Sequence, residues 1–319
     1  MTNLHLPALI REIGRGKNGA RSLSVEHAQA LYAAMLAHDV PELELGAIMI
    51  ALRVKGESLA EITGFMQAAQ TSLLALTAPS NSTYRTVVIP SYNGARNKPN
   101  LTPLLAQLLA REGVPVLVHG LMQDPGRVTT AEIMQAMGNT SVQNAQQVVE
   151  KMEQRQAAFI SIEHLSPAMH RLLQVRARLG LRNSTHTLVK LLQPMTSPAM
   201  RLTSYTHREY HALLRDYFLS ELGQQDGPVL LMRATEGETV ANIARVQEMD
   251  YFAQGQSLIM QETQATATAS GLDIAIDAAS TARWIEQVLQ GEKTVPENIA
   301  LQVQHILGLA KLDHSSVVG

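Results

Sequence analysis

Residues 85–111 read Arg85-Thr-Val-Val-Ile-Pro-Ser-Tyr-Asn-Gly-Ala-Arg-Asn-Lys-Pro-Asn-Leu-Thr-Pro-Leu-Leu-Ala-Gln-Leu-Leu-Ala-Arg111. The β-branched run at 86–89 predicts a strand. Thr102 as cap and Pro103 at the first helical position predict a helix from Thr102 to Arg111. The polar stretch between them is a strand-to-helix loop. A strand, a loop and a helix in this order form the unit from which parallel sheets covered by helices are built.

Downstream, the pattern repeats. Val114 to Val118 is a short β-branched run, and Thr129-Thr-Ala-Glu132 is a capping box leading into 133–137. Residues 157–162 and 229–232 are further strand candidates. Upstream, Ser24 caps a helix over 25–37, the apolar stretch 43–53 reads as a central helix, and Ser58 with Glu61 opens a third through 69. Residues 76–84 lack helical periodicity and read as a linker. The expected fold class is α/β: a helical bundle domain over 1–75, then an α/β domain over 76–319 with a mainly parallel central sheet.

The chain has 319 residues, 45% of them hydrophobic and 17% charged, which is enough to bury a substantial core. It contains no cysteine, so disulfides, thiol nucleophiles and thiolate metal sites are excluded. No apolar run reaches the roughly 18 residues of a membrane span. The start, Met1-Thr-Asn-Leu-His-Leu-Pro7, shows no signal-peptide pattern, and a cytoplasmic protein is expected. The net charge of −2 is unevenly spread: −1 over residues 1–84, +8 over 85–215 and −9 over 216–319. Such asymmetry suggests an anionic partner for the middle block. Packing of that block on the acidic last third would explain it as well.

Four segments carry candidate chemistry. The loop 90–102 holds Arg96 and Lys98, with Asn100 and Thr102 at the helix start, where free N–H groups and the helix dipole favour an anion. His119 and Arg127 follow the next strand and could face the same crevice. The run from His170 to Lys190 carries Arg171, Arg176, Arg178, Arg182 and Lys190 with almost no offsetting acid, and arginine suits bidentate phosphate contacts. On one continuous helix Arg171, Arg178 and Arg182 would share a face with Arg176 turned away, and Gly180 is a candidate break in it. Gly14-Arg-Gly-Lys-Asn-Gly-Ala-Arg21 adds Arg15 and Lys17 in a basic turn that fits no phosphate-loop spacing. Two near-motifs are discounted. His207-Arg-Glu-Tyr-His211 has Arg208 where a zinc protease needs glutamate, and Glu236-Gly-Glu238 reads as a solvated turn. No metal site is expected.

These segments, in this order, resemble the anthranilate phosphoribosyltransferase family and its nucleoside phosphorylase relatives, within the glycosyltransferase family 3 fold. The resemblance rests on 44–57 in the bundle, Pro167-Ala-Met169, and Val175-Arg-Ala-Arg-Leu-Gly-Leu-Arg182. It implies a small helical domain joined in space by a helical segment near 185–200, a larger α/β domain, a ligand cleft between them, and a homodimer formed through the helical domains. It also implies a phosphoribosyl pyrophosphate site, with His119 and Arg176 as the residues an enzyme would use.

The departures from the family pattern are specific. Pro90-Ser-Tyr-Asn-Gly-Ala95 stands where the family has the diphosphate cradle Gly-Thr-Gly-Gly-Asp-Gly, and proline has no N–H to donate. Val118-His-Gly-Leu-Met122 replaces Lys-His-Gly-Asn-Arg. Thr239 and Val240 occupy the places of the Asp-Glu pair that holds Mg²⁺. The segments 12–21, 90–96 and 182–190 closely resemble the YbiB-type branch, whose members bind DNA and RNA with little sequence preference. The expected function is therefore non-sequence-specific DNA or RNA binding by a homodimer, without a cofactor. Phosphate contacts would come from Arg15, Lys17, Arg96, Lys98, Asn100, Thr102, Arg176, Arg178, Arg182 and Lys190. The alternatives are a phosphoribosyltransferase using Mg²⁺ and phosphoribosyl pyrophosphate, and a protein that binds a small phosphorylated ligand.

Overall fold

The computed structural model describes residues 4–16, 18–264 and 272–312. The chain opens with four helices: α1 (Leu6–Ile13), α2 (Val25–Ala37), α3 (Glu42–Lys55) and α4 (Leu59–Gln70). Ser24 caps α2, and Ser58 with Glu61 forms the expected capping box on α4. Glu61 is fully buried, where it accepts from the Leu23 N–H at 3.0 Å and pairs with Lys55 at 2.6 Å. A Cβ on Gly64 would collide with the backbone of Val25 and Gln29, so the glycine lets α4 lie directly on α2.

Seven strands follow: β1 (Val87–Ser91), β2 (Val116–Gly120), β3 (Ala158–Ser161), β4 (Met200–Tyr205), β5 (Val229–Arg233), β6 (Met249–Ala253) and β7 (Gln256–Gln261). Their order is β3-β2-β1-β4-β5-β6-β7. The first five in that order are parallel, and β6 pairs antiparallel with both β5 and β7. Successive side chains point to opposite faces of a sheet, and this alternation feeds two cores. Val88, Leu117, Ile160 and Leu231 pack with the bundle. Val87, Val116, Phe159 and Leu230 pack with α5 (Thr102–Arg111) and the helices Ala278–Leu289 and Glu297–Ala310.

Three strands, β4, β6 and β7, were not expected from the sequence. The β4 pattern is obscured by Arg201, which is buried in mid-strand. Its guanidinium donates to Asp226 at 3.1 Å and to the carbonyls of Leu191 and Gly223. Burial of this charge is tolerated because it is paired and hydrogen-bonded. β7 is an exposed edge strand with no apolar alternation to read. The start of α5 also differs: Leu101 is the N-cap, Thr102 is the first helical residue, and Asn100 Oδ1 accepts from the Thr102 N–H at 3.1 Å.

The chain turns outward from β1 in both directions, to β2 on one side and β4 on the other. Ligands bind at such switch points, beyond the carboxyl ends of the strands. The β1–β4 ladder covers only Val87 and Val88, and Pro90 further on has no N–H to extend it. A crevice therefore opens above the ends of β1 and β4.

Candidate functional site

The floor of this crevice is the loop after β1. Its backbone N–H groups point inward as an anion cradle requires, but they are already occupied. Glu238 is 1% exposed, and its Oε1 accepts from the N–H of Asn93 at 2.8 Å and of Gly94 at 2.7 Å. Its Oε2 accepts from Thr102 Oγ1 at 3.5 Å. Glu236 Oε2 takes the next donors along, the N–H groups of Arg96 (3.4 Å) and Asn97 (3.3 Å). Asn93 Nδ2 clamps the turn by donating to the Gly237 carbonyl at 2.7 Å. Gly237 sits at φ +96°, and a Cβ there would strike Asn93. The segment expected to be a solvated turn is thus a latch whose carboxylates fill the loop's donor sites. The spacing Glu-Gly-Glu was legible. Its partner lay about 140 residues away and was not.

Cations line the walls. Lys190 Nζ donates to the Gly237 carbonyl at 3.2 Å. Desolvation lowers its pKa to about 8, against the opposing pull of Glu238. Arg127 donates to the carbonyls of Gly94 and Glu236. Arg176 pairs with Asp124 at 3.1 Å, where Asp124 is almost fully buried. Arg182 faces Arg176, Arg127 and Arg53, and burial together with these like charges lowers its pKa. Beside them lies a cavity of about 200 Å³ lined by Arg53, Arg182, His186, Lys190, Ser204 and His207. His186 is held neutral, its pKa lowered to about 3 by burial and then by Arg182 and Arg176.

The remaining candidates fall elsewhere. His119 is fully buried at the end of β2, bonded through Nδ1 to the Tyr92 hydroxyl at 2.7 Å, and desolvation lowers its pKa to about 3. Asn100 is spent on the Thr130 hydroxyl and the Thr102 N–H. Arg96 and Lys98 are exposed at the rim. Arg15 pairs with Glu12 at 3.6 Å at the end of α1, and Lys17 lies outside the described residues.

The single-helix reading of 171–182 is corrected. The segment breaks into Pro167–Gln174 and Arg176–Leu179, ended by Gly180 in the left-handed region at φ +71°. Arg171 consequently donates to the Leu36 carbonyl, and Arg178 forms a bidentate pair with Glu42. Arg176 and Arg182, expected on different faces, come together in the cleft. Asp124 and Arg53 join the site without any sequence signal.

The α/β domain of a glycosyl transferase family matches residues 92–316, and that family's helical bundle domain matches 7–72. The chain belongs to this glycosyl transferase family. Among relatives, the uncharacterized protein YbiB of Escherichia coli strain K12 is 43% identical over 92% of this chain and 91% of its own length. An anthranilate phosphoribosyltransferase of Saccharolobus islandicus is 29% identical over 56% of this chain and 49% of its own. The glycosyl transferase fold is matched in solved structures. Anthranilate phosphoribosyltransferase from Thermus thermophilus superposes with a TM-score of 0.72 at 21% identity, covering 95% of this chain and 88% of that one. The Saccharomyces cerevisiae enzyme in complex with phosphoribosyl pyrophosphate and Mg superposes at 0.69 and 14% identity, covering 96% and 86%.

The residues here do not fit the Mg²⁺ that accompanies the yeast complex. Thr239 is buried, bonded to Ser204 at 3.2 Å, and Val240 lies in the core. The nearest carboxylates, Glu236 and Glu238, are engaged by backbone N–H groups of the loop. The glycosyl transferase fold is kept, and the backbone donors of the loop after β1 are filled from within by Glu236 and Glu238.

Proposed function

We propose that this protein is a homodimeric nucleic-acid-binding protein without sequence preference, built on a phosphoribosyltransferase scaffold. One observation carries the reading. The donors that would hold a single diphosphate are taken by Glu236 and Glu238, while the side chains of Arg96, Lys98 and Arg182 have no hydrogen-bond or ion-pair partner among the described residues. Unpaired cations along a cleft suit a chain of phosphates better than one enclosed diphosphate. Lys190 reaches the same ligand from deeper in the cleft. Arg15, Arg176 and Arg178, each tied to a carboxylate, contribute less. This mode of binding needs no cofactor.

The dimer reading rests on α3. Leu43, Ala47, Ile50 and Val54 recur at helical spacing on one face, with Leu43 82% and Val54 72% exposed. Ala47, Ile50 and Val54, together with Ile10 and Ile13, border an apolar groove between α1 and α3. A second copy would cover it.

The deciding experiment is a salt titration of binding to single- and double-stranded oligonucleotides of scrambled sequence. Log affinity should fall against log salt with a slope of about −0.9 per neutralised phosphate on duplex and about −0.7 on single strands. A flat slope overturns the reading. So does turnover above background when the protein is mixed with phosphoribosyl pyrophosphate, Mg²⁺ and anthranilate and followed by anthranilate fluorescence.

A further inference from the structure

The helix Arg208–Leu219 packs over the antiparallel end of the sheet, and three donor groups meet at that contact. His211 lies in the first turns of the helix. Glu248 immediately precedes β6, Asp250 is the strand's second residue, and both carboxylates reach His211. His211 Nε2 is 2.6 Å from Asp250 Oδ2 and 3.7 Å from Glu248 Oε1. One ligand atom from each residue falls within 4.8 Å of the other two.

We propose that His211, Glu248 and Asp250 form a binding site for one first-row divalent cation, with Zn²⁺ the best match. The donor set is one imidazole nitrogen and two carboxylate oxygens, which suits zinc better than the all-oxygen cations magnesium and calcium. Tetrahedral zinc with ligands roughly 2.0–2.2 Å away sets donors about 3.4 Å apart. The separations of 2.6 and 3.7 Å bracket that value, so small side-chain shifts complete the geometry. The Tyr205 hydroxyl donates to Glu248 Oε1 at 3.4 Å, the kind of outer hydrogen bond that orients a ligating carboxylate.

Charge supports the same conclusion. Asp250 is 7% exposed, and among the described residues no lysine or arginine pairs with it or with Glu248. A divalent ion bound there would balance both carboxylates. The helix Arg208–Leu219 would then be clamped to β6, and the metal's role would be structural.

The test uses the full chain, freed of metal by a chelator and titrated with ZnCl₂ by calorimetry. The expected result is one equivalent bound per chain, with the melting temperature rising as zinc is added, because a ligand that binds only the folded state stabilises it. His211→Gln should abolish stoichiometric binding and the melting shift. If that variant fails to fold, Glu248→Gln, at a half-exposed carboxylate, carries the same expectation. No stoichiometric binding by the parent protein overturns the proposal, as does binding that survives the loss of either ligand.

Discussion

At the scale of single residues, the cations of the basic block are not equivalent, and the inequality is chemical. Arg178 is held in a two-pronged pair with Glu42, so its charge is spoken for. Arg182 is half-buried among like charges and has no hydrogen-bond acceptor among the described residues. Both are arginines in one basic run, and nothing in the local sequence distinguishes them. Arg182→Glu should weaken oligonucleotide binding uniformly across sequences and reduce the salt slope by about 0.9. Arg178→Glu should leave the slope near that of the parent protein, which a parallel pair of salt titrations would show. Equal effects from the two substitutions would mean that the cleft is not the binding surface.

At the scale of elements, the 236–238 turn and the loop after β1 act as one unit. The turn presents two carboxylates where an anionic ligand would present its oxygens, and Lys190 and Arg127 fasten the turn from the cation side. Glu238→Ala leaves the Asn93 and Gly94 N–H groups without their acceptor, at a cost of about 1–3 kcal/mol for each that stays dry. We expect a lowered melting temperature together with a gain of about tenfold or more in affinity for inorganic pyrophosphate, as the competing carboxylate is gone. Calorimetry on the parent and the variant reads the gain directly, and unchanged affinity in a folded variant would show that the loop is no anion cradle. The strand, the loop and α5 were legible from β-branching, Pro103 and the apolar run. The latch was not, because a carboxylate's partner is a matter of distance in space.

At the scale of the whole molecule, the charge asymmetry of the sequence has two outlets. Part of the basic block does pack on the acidic last third: Arg201 on Asp226, and Lys190 and Arg127 on the 236–238 turn. Others pair elsewhere, Arg176 with Asp124 and Arg178 with Glu42, while Arg96, Lys98 and Arg182 have no side-chain partner among the described residues. Dimerisation would set two such clefts on one particle. The double substitution Leu43→Asp with Val54→Asp should yield a monomer in analytical ultracentrifugation, with the fold kept because both side chains are exposed. A parent protein that sediments as a monomer would remove the dimer reading altogether. The sequence by itself determined the helical bundle followed by a mainly parallel sheet, since periodicity, caps and β-branching are local properties. Only the tertiary structure decided which cations are free, that Glu238 occupies the cradle, and that His211 meets Glu248 and Asp250. Each of these depends on groups far apart in the chain being brought within hydrogen-bond distance, and no local pattern encodes that.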